Sequence, residues 1–247
     1  MKIADGLHRV GPGLVSCYLV EEAGQITIVD AGMPGFFGDL VDELAAMGRS
    51  LDDVRALILT HGHSDHIGFA ERIRRERNVP VSVHELDAAM ARGEDDGGKR
   101  GAGPITPLPL LRFLWFSIRK GALRTPTIGE VSTFGDGATL DVPGSPRVIL
   151  APGHAPGSSA LHVPSRDALL VGDVIATESV VGGAVGTMIA PFSADPAQAV
   201  ASLGRIEHIE AHWVLPGHGQ PWTGGVGEAV RRIRAAGRDP MGRTTAS

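Results

Sequence analysis

Thr60-His61-Gly62-His63-Ser64-Asp65-His66 packs three histidines and a carboxylate into one short stretch, and its reading decides the fold. It follows Val54 to Leu59 (VRALIL), an apolar run that reads as a buried strand. In a turn after a strand, side chains two apart converge on one point, whereas Asp65 and His66 turn the other way. The stretch therefore offers two adjacent coordination points. Neutral imidazole with carboxylate suits zinc or another borderline divalent ion. An isolated His-Gly-His would carry less weight, because histidines also cluster in solvated loops.

Three further ligand candidates lie downstream: Pro152-Gly153-His154, Val171-Gly172-Asp173 and Leu215-Pro216-Gly217-His218-Gly219. Each follows an apolar run and carries glycine just before the candidate, where the backbone can bend sharply or pass close to a ligand. Around them, Val15 to Val20 and Ile26 to Val29 read as a hairpin turning at Glu21 to Gly24. Gly35 to Met47 shows helical spacing at Phe37, Leu40, Val41, Leu44 and Met47. A helix from about Ile67, a strand at Val79 to Val83 and a helical stretch from Glu85 follow. Residues 93–129, Gly- and charge-rich and then apolar, read as an insertion over the core fold. The second half shows strands at Arg147 to Leu150, Ser159 to Val163, Ala168 to Val171 and Trp213 to Leu215, with helices at Pro196 to Ile209 and Val226 to Ala235. Periodicity alone establishes mixed α and β in one domain. Two halves that each run from strands to a helix suggest an α/β, four-layer αββα sandwich with the site at the edge between the two sheets. The expected domain spans 1–237, with a disordered tail at 238–247.

His61-Gly62-His63-Ser64-Asp65-His66 resembles the HxHxDH signature of the metallo-β-lactamase superfamily. The segments APGHAPGS, LLVGD and LPGHG resemble its remaining ligand motifs in family order, so the likeness runs from about Asp30 to His218. It implies that His61, His63 and His154 hold a first metal, Asp65, His66 and His218 a second, and that Asp173 bridges them. Asp30 falls where the family has an aspartate that supports the metal loop. The implied cofactor is two zinc ions per chain, with iron or manganese as alternatives. Two ions about 3.5–4 Å apart can share a hydroxide formed at neutral pH. The expected reaction is attack of that hydroxide on the carbonyl of an ester, lactone or thioester. Asp65 would orient the hydroxide and carry its proton to the leaving group.

Within the family, the β-lactamases place cysteine or serine where this chain has Asp173, which disfavours that activity. Glyoxalase II enzymes share the aspartate but carry a helical domain after the last histidine, and little sequence follows His218 here. Quorum-quenching lactonases use a tyrosine soon after the bridging aspartate. Val174 to Thr177 stand there, and the only tyrosine is Tyr18. An iron-dependent oxidoreductase resembling persulfide dioxygenases is the main alternative, and a binder that merely keeps the fold is a third. Phe113, Leu114, Trp115, Phe116 and Ile118 could line a lid for an apolar acyl or ring substrate, with Phe113, Trp115 and Phe116 the substrate-binding candidates. The favoured alternative is that they simply pack a helix onto the core or onto a second subunit.

Composition narrows the rest. The 247 residues are 43% hydrophobic, enough for an ordinary core, and the formal net charge of -5 provides no basic stripe for nucleic acid. The arginine-rich runs Arg72 to Arg77 and Arg231 to Arg238 read as solvated helix faces. The opening MKIADGLHRV has no signal-like apolar run, and Leu108 to Ile118 is too short to cross a bilayer. Cys17, the only cysteine, reads as a buried small apolar residue. The expectation is a cytoplasmic monomer or homodimer acting on a small molecule, without a membrane partner. His8, His208 and His212 read as structural, as do His84 and His162, although those two could reach the site rim.

Overall fold

The computed structural model describes residues 1–97, 101–124 and 126–236. Strands β1 (Lys2–Ala4), β2 (Leu7–Val10), β3 (Cys17–Glu22) and β4 (Gln25–Val29) form an antiparallel meander. Strands β5 (Val54–Ile58), β6 (Val81–His84) and β7 (Ser132–Phe134) continue the sheet in parallel, so its seven strands stand in chain order. Helices α1 (Phe36–Ala46), α2 (Ala70–Arg77), α3 (Ala88–Ala91) and α4 (Pro107–Arg119) lie in the connections. The β3–β4 turn is tighter than expected. Glu22 pairs directly with Gln25, and both Ala23 and Gly24 take positive φ, the conformation a two-residue hairpin loop requires.

The second half builds a four-stranded sheet from β8 (Arg147–Leu150), β9 (Ser159–Val163), β10 (Ala168–Gly172) and, after the small β11 (Ala176–Glu178) and β12 (Val185–Met188) ribbon, β13 (Trp213–Pro216). Helices α5 (Pro196–Ser202) and α6 (Val226–Ala235) cover it. The expected helix to Ile209 stops at Ser202 and gives way to a tighter 3₁₀ turn over Leu203–Arg205, where Gly204 is a weak helix former.

Strand alternation makes the four layers. Along β3, Cys17 and Leu19 face α1 and α2, while Tyr18 and Val20 face the second sheet. Along β10, Leu169 and Val171 face α5 and α6, while Leu170 joins Tyr18 and Val20 in the middle layer. Three apolar layers therefore separate helix, sheet, sheet and helix, which is the αββα sandwich.

On α1 the core face is Phe36, Phe37, Leu40 and Leu44; Val41, part of the expected stripe, is 40% exposed. Cys17 is fully buried among apolar side chains, as expected. The segment expected as an insertion links the parallel neighbours β6 and β7, with α4 as its main element. The tail expected at 238–247 lies outside the described residues.

Candidate metal centre

Parallel neighbours bring loop starts together. Strands β4 and β5 run side by side, so Asp30 after β4 meets Thr60 after β5. Strands β10 and β13 are likewise parallel, which sets Asp173 beside His218. Strand β8 points the same way as β10, being two antiparallel steps removed, and delivers His154. All seven residues read from the motifs reach one edge where the two sheets meet.

Their ligand atoms form three overlapping groups: His61, His63 and His154; His61, His66 and Asp173; and Asp65, His66 and His218, with donor atoms in each group within 4.8 Å of one another. Asp173 is central. Its Oδ2 lies 3.2 Å from both His154 Nε2 and His218 Nε2, and its Oδ1 lies 3.5 Å from His66 Nε2. Asp65 Oδ2 stands 3.5 Å from His218 Nε2, with its carboxylate partly open to solvent.

The donor set fits a divalent cation. His61 Nε2 and Asp173 Oδ1 are buried without hydrogen-bond partners, and His154 Nε2 faces His63 Nδ1 at 2.9 Å. Lone pairs collected this way have no proton supply to satisfy them all, whereas metal ions would. Charge is already divided within the cluster. Burial disfavours protonated His66, but Asp30 and Asp173 outweigh it and raise its pKa to about 10. Burial likewise opposes charge on His218, and Asp173 again prevails, raising it to about 9. His61 is held well below the ordinary histidine value by burial and by His66. Burial also lowers His154, to about 4, against the pull of Asp173. Burial would raise Asp173, but the charges of His218, His66 and His154 drive it well below the usual carboxylate range.

Three of the imidazoles are oriented from behind, those of His66, His218 and His154. Asp30 Oδ2 lies 2.9 Å from His66 Nδ1, and Asp30 Oδ1 accepts from Thr60 N at 2.7 Å. Asp30 adopts a left-handed φ of 63°, which aspartate tolerates, and so turns its carboxylate under the loop. His218 Nδ1 donates to the Leu14 carbonyl at 2.5 Å, and His154 Nδ1 lies 3.3 Å from Ser193 Oγ. The glycines behave as their positions suggest. A methyl on Gly217 would overlap Asp173 Oδ1 and the His66 ring, and one on Gly172 would overlap the Thr60 side chain.

Asp87 escapes a reading by motif. Fully buried, it accepts from Gly62 N at 3.0 Å and Gly157 N at 2.6 Å, tying the loop of His61 and His63 to the loop of His154. Burial pushes its carboxyl above the ordinary range, while the N–H groups of Gly157 and Gly62 pull the other way. It belongs to the same HELD segment as His84. That histidine instead packs edge-on against Phe134 and accepts from Leu86 N at 3.3 Å. Tyr18 is structural too: its buried hydroxyl donates to the Pro216 carbonyl at 2.7 Å.

A cavity of about 360 Å³ opens over the cluster. Phe113, Leu114, Ile118, Leu123, Val180 and Phe192 make most of its apolar wall, and among the described residues no lysine or arginine lines it. Of the three aromatic residues expected to bind substrate, only Phe113 lines it. Helical rotation carries Phe116 into the core against Phe36, with ring centroids 6.0 Å apart, and leaves Trp115 64% exposed on the outer face.

The family model of the metallo-beta-lactamase superfamily matches residues 10–218. The chain belongs to that superfamily. It is 28% identical over 239 residues to "Probable metallo-hydrolase YflN" of Bacillus subtilis, covering 90% of this chain and 86% of that one. It is 24% identical to "Probable metallo-hydrolase YybB" of the same organism, covering 83% and 81%. Among solved structures, the metallo-beta-lactamase family protein TTHA1429 of Thermus thermophilus superposes with a TM-score of 0.70 at 24% identity, covering 95% of this chain and 80% of that one. TTHA1623 in a di-iron-bound form gives 0.63 at 26% identity, covering 92% and 98%.

Proposed function

We propose that this chain is a dinuclear metal-dependent hydrolase of uncharged apolar esters, lactones or thioesters. The observation that carries the reading is the convergence of seven donor residues in overlapping groups beside an apolar cavity lined by no described lysine or arginine. His61, His63 and His154 would hold one ion, Asp65, His66 and His218 the other, and Asp173 would bridge. The bound ions would supply a water acidic enough to attack at neutral pH and would polarise the substrate carbonyl.

The protein's own groups do the rest. Phe113, Val180 and Phe192 receive the acyl or ring portion and exclude water around it. Asp65, partly solvent-open at the cavity floor, is placed to accept a proton and return it to the leaving oxygen, sulfur or nitrogen. Asp30 and the Leu14 carbonyl fix the rings of His66 and His218. Away from the metal ligands, the described lining offers no lysine or arginine to pair with a second anionic group on the substrate, which favours a neutral acyl or ring portion. Zinc is the metal expected from the donor set; the di-iron form of TTHA1623 makes iron the competing choice.

The test is metal quantification of the purified protein, followed by a panel of lactones, aryl esters, thioesters and a β-lactam. About two ions per chain and turnover of an apolar ester, lactone or thioester, both lost in Asp173→Ala, are expected. A single iron with sulfur-dependent oxygen consumption would assign the chain to the oxidoreductase reading instead.

A further inference from the structure

Seven of the eleven exposed large apolar side chains among the described residues fall between Ile105 and Leu123, on and around α4. Leu108, Leu111, Trp115 and Ile118 are 76%, 62%, 64% and 53% exposed, and Leu114 and Leu123 extend the patch at 46% and 80%. At about 100° per residue, Leu114, Ile118, Leu111, Trp115 and Leu108 occupy one arc of about 120° on the helix. Arg119 and Arg112 follow along the edge of that arc. The opposite side, Leu110, Phe113 and Phe116, is already packed against the body of the protein. The outer stripe therefore serves no purpose within the fold.

Charge separates the possible occupants. From Gly101 to Arg124 the sequence has no acidic residue and four basic ones, Arg112, Arg119, Lys120 and Arg124, in a chain of formal net charge -5. Lys120 is paired with Asp39, and Arg112 reaches Glu178 only at 3.5 Å. Arg119 lies over the Trp115 ring at 5.7 Å, and among the described residues neither Arg119 nor Arg124 has an ion-pair partner. A two-fold contact with a second copy would set these cations against their own kind, and the nearby acids Asp39 and Glu178 already face cations of their own copy. An apolar stripe bearing tryptophan and leucines and rimmed by arginine is instead what an interfacial helix presents to anionic lipid.

We infer that α4 docks the protein on anionic membrane surfaces, burying Leu108, Leu111, Trp115 and Ile118 among the acyl chains with Arg119 and Arg124 at the phosphates. The proposal departs from the expectation of no membrane partner. No helix among the described residues is long and apolar enough to cross a bilayer, so α4 lies in the surface and does not span it. Leu114, Ile118 and Leu123 belong both to the patch and to the cavity wall, so the docked face adjoins the cavity mouth. An apolar substrate dissolved in the bilayer would reach the metal centre without crossing water. That last consequence rests on the hydrolase reading; the docking does not.

The experiment is co-sedimentation of the full chain with vesicles of phosphatidylcholine alone and of phosphatidylcholine mixed with phosphatidylglycerol, with tryptophan emission recorded in parallel. Wild type should sediment with the mixed vesicles, shift its emission to the blue, and bind less as salt rises. Leu108→Ser with Leu111→Ser should lower the partition coefficient by about tenfold or more, with metal content and turnover of a soluble substrate unchanged. Arg119→Glu with Arg124→Glu should abolish the preference for phosphatidylglycerol. Wild type that binds neither vesicle overturns the proposal. So does a stable dimer in light scattering that the double serine variant converts to monomer, since the stripe is then a contact between copies. Loss of hydrolase activity in the panel above, with vesicle binding intact, would remove the functional reading and leave the docking standing.

Discussion

Asp87 tests how the metal loops are held. Its two carboxylate oxygens satisfy the buried N–H groups of Gly62 and Gly157, and no water reaches the side chain. Asp87→Ala orphans both donors. At about 1–3 kcal/mol for each unmet buried group, the loss is about 2–6 kcal/mol out of a typical 5–15. Asp87→Asn keeps one acceptor and turns an NH₂ toward the other donor, so about half that cost is expected. The loops that part company carry His61, His63 and His154, whereas Asp65, His66 and His218 keep their own supports. Affinity for the ion expected at His61, His63 and His154 should therefore drop by about 10–100-fold, the usual effect of removing an orienting partner. Urea denaturation of the chelator-treated protein reads the first number, and competition with a chromophoric chelator reads the second. An Asp87→Asn protein with both the wild-type midpoint and the wild-type metal affinity would refute the clamp.

Two further predictions concern the same cluster. Gly217→Ala should lower metal affinity by about tenfold or more, because its methyl overlaps Asp173 and His66; Gly38→Ala, on the open side of α1, should bind metal normally and gain about 0.5–1 kcal/mol of stability. Equal metal binding by both would show that the loop relaxes freely. In the metal-free protein, His66 and His218 have folded pKa values of about 10 and about 9, above the ordinary 6.5. Groups raised on folding stabilise fully below their unfolded value and lose that contribution as pH climbs through the folded one. The melting midpoint of the chelated protein should thus fall between pH 6.5 and 10, and fall less in Asp173→Asn. A flat wild-type profile over that window, by differential scanning calorimetry, would sink the charge assignment.

Most of the donor set was legible in the sequence because its chemistry is dense and local: four of the seven residues sit between His61 and His66, and each remaining one follows a strand and a glycine. The longer strands and α6 were legible for the same reason, being periodic over their own length. Strands β1, β2, β7, β11 and β12 were not, because they are short and lack the apolar run that marks the equally short β6, β8 and β13. Helix α4 misled in another way. With apolar side chains on both faces, its composition could not say which of Phe113, Trp115 and Phe116 points inward; only the seating of Leu110 and Phe113 against Val180 and Val181 decides it.

What no local pattern could reveal is the set of contacts that joins the halves at the site. Ser159 N donates to the Thr60 carbonyl at 2.9 Å, across the two sheets and directly beside His61. Tyr18 reaches Pro216, and His218 reaches Leu14, 204 residues away in sequence. Asp87 reaches Gly157. Every one of these joins the two halves and has at least one partner that is a candidate ligand or lies one to three positions from one. Three of the four use a backbone carbonyl as acceptor and the fourth a backbone N–H as donor. Side-chain identity at one partner is therefore nearly silent in the sequence. The geometry of the cluster therefore rests on the packing of the two sheets as much as on the donor residues themselves: a centre built from both halves is held in shape by the contacts that join them.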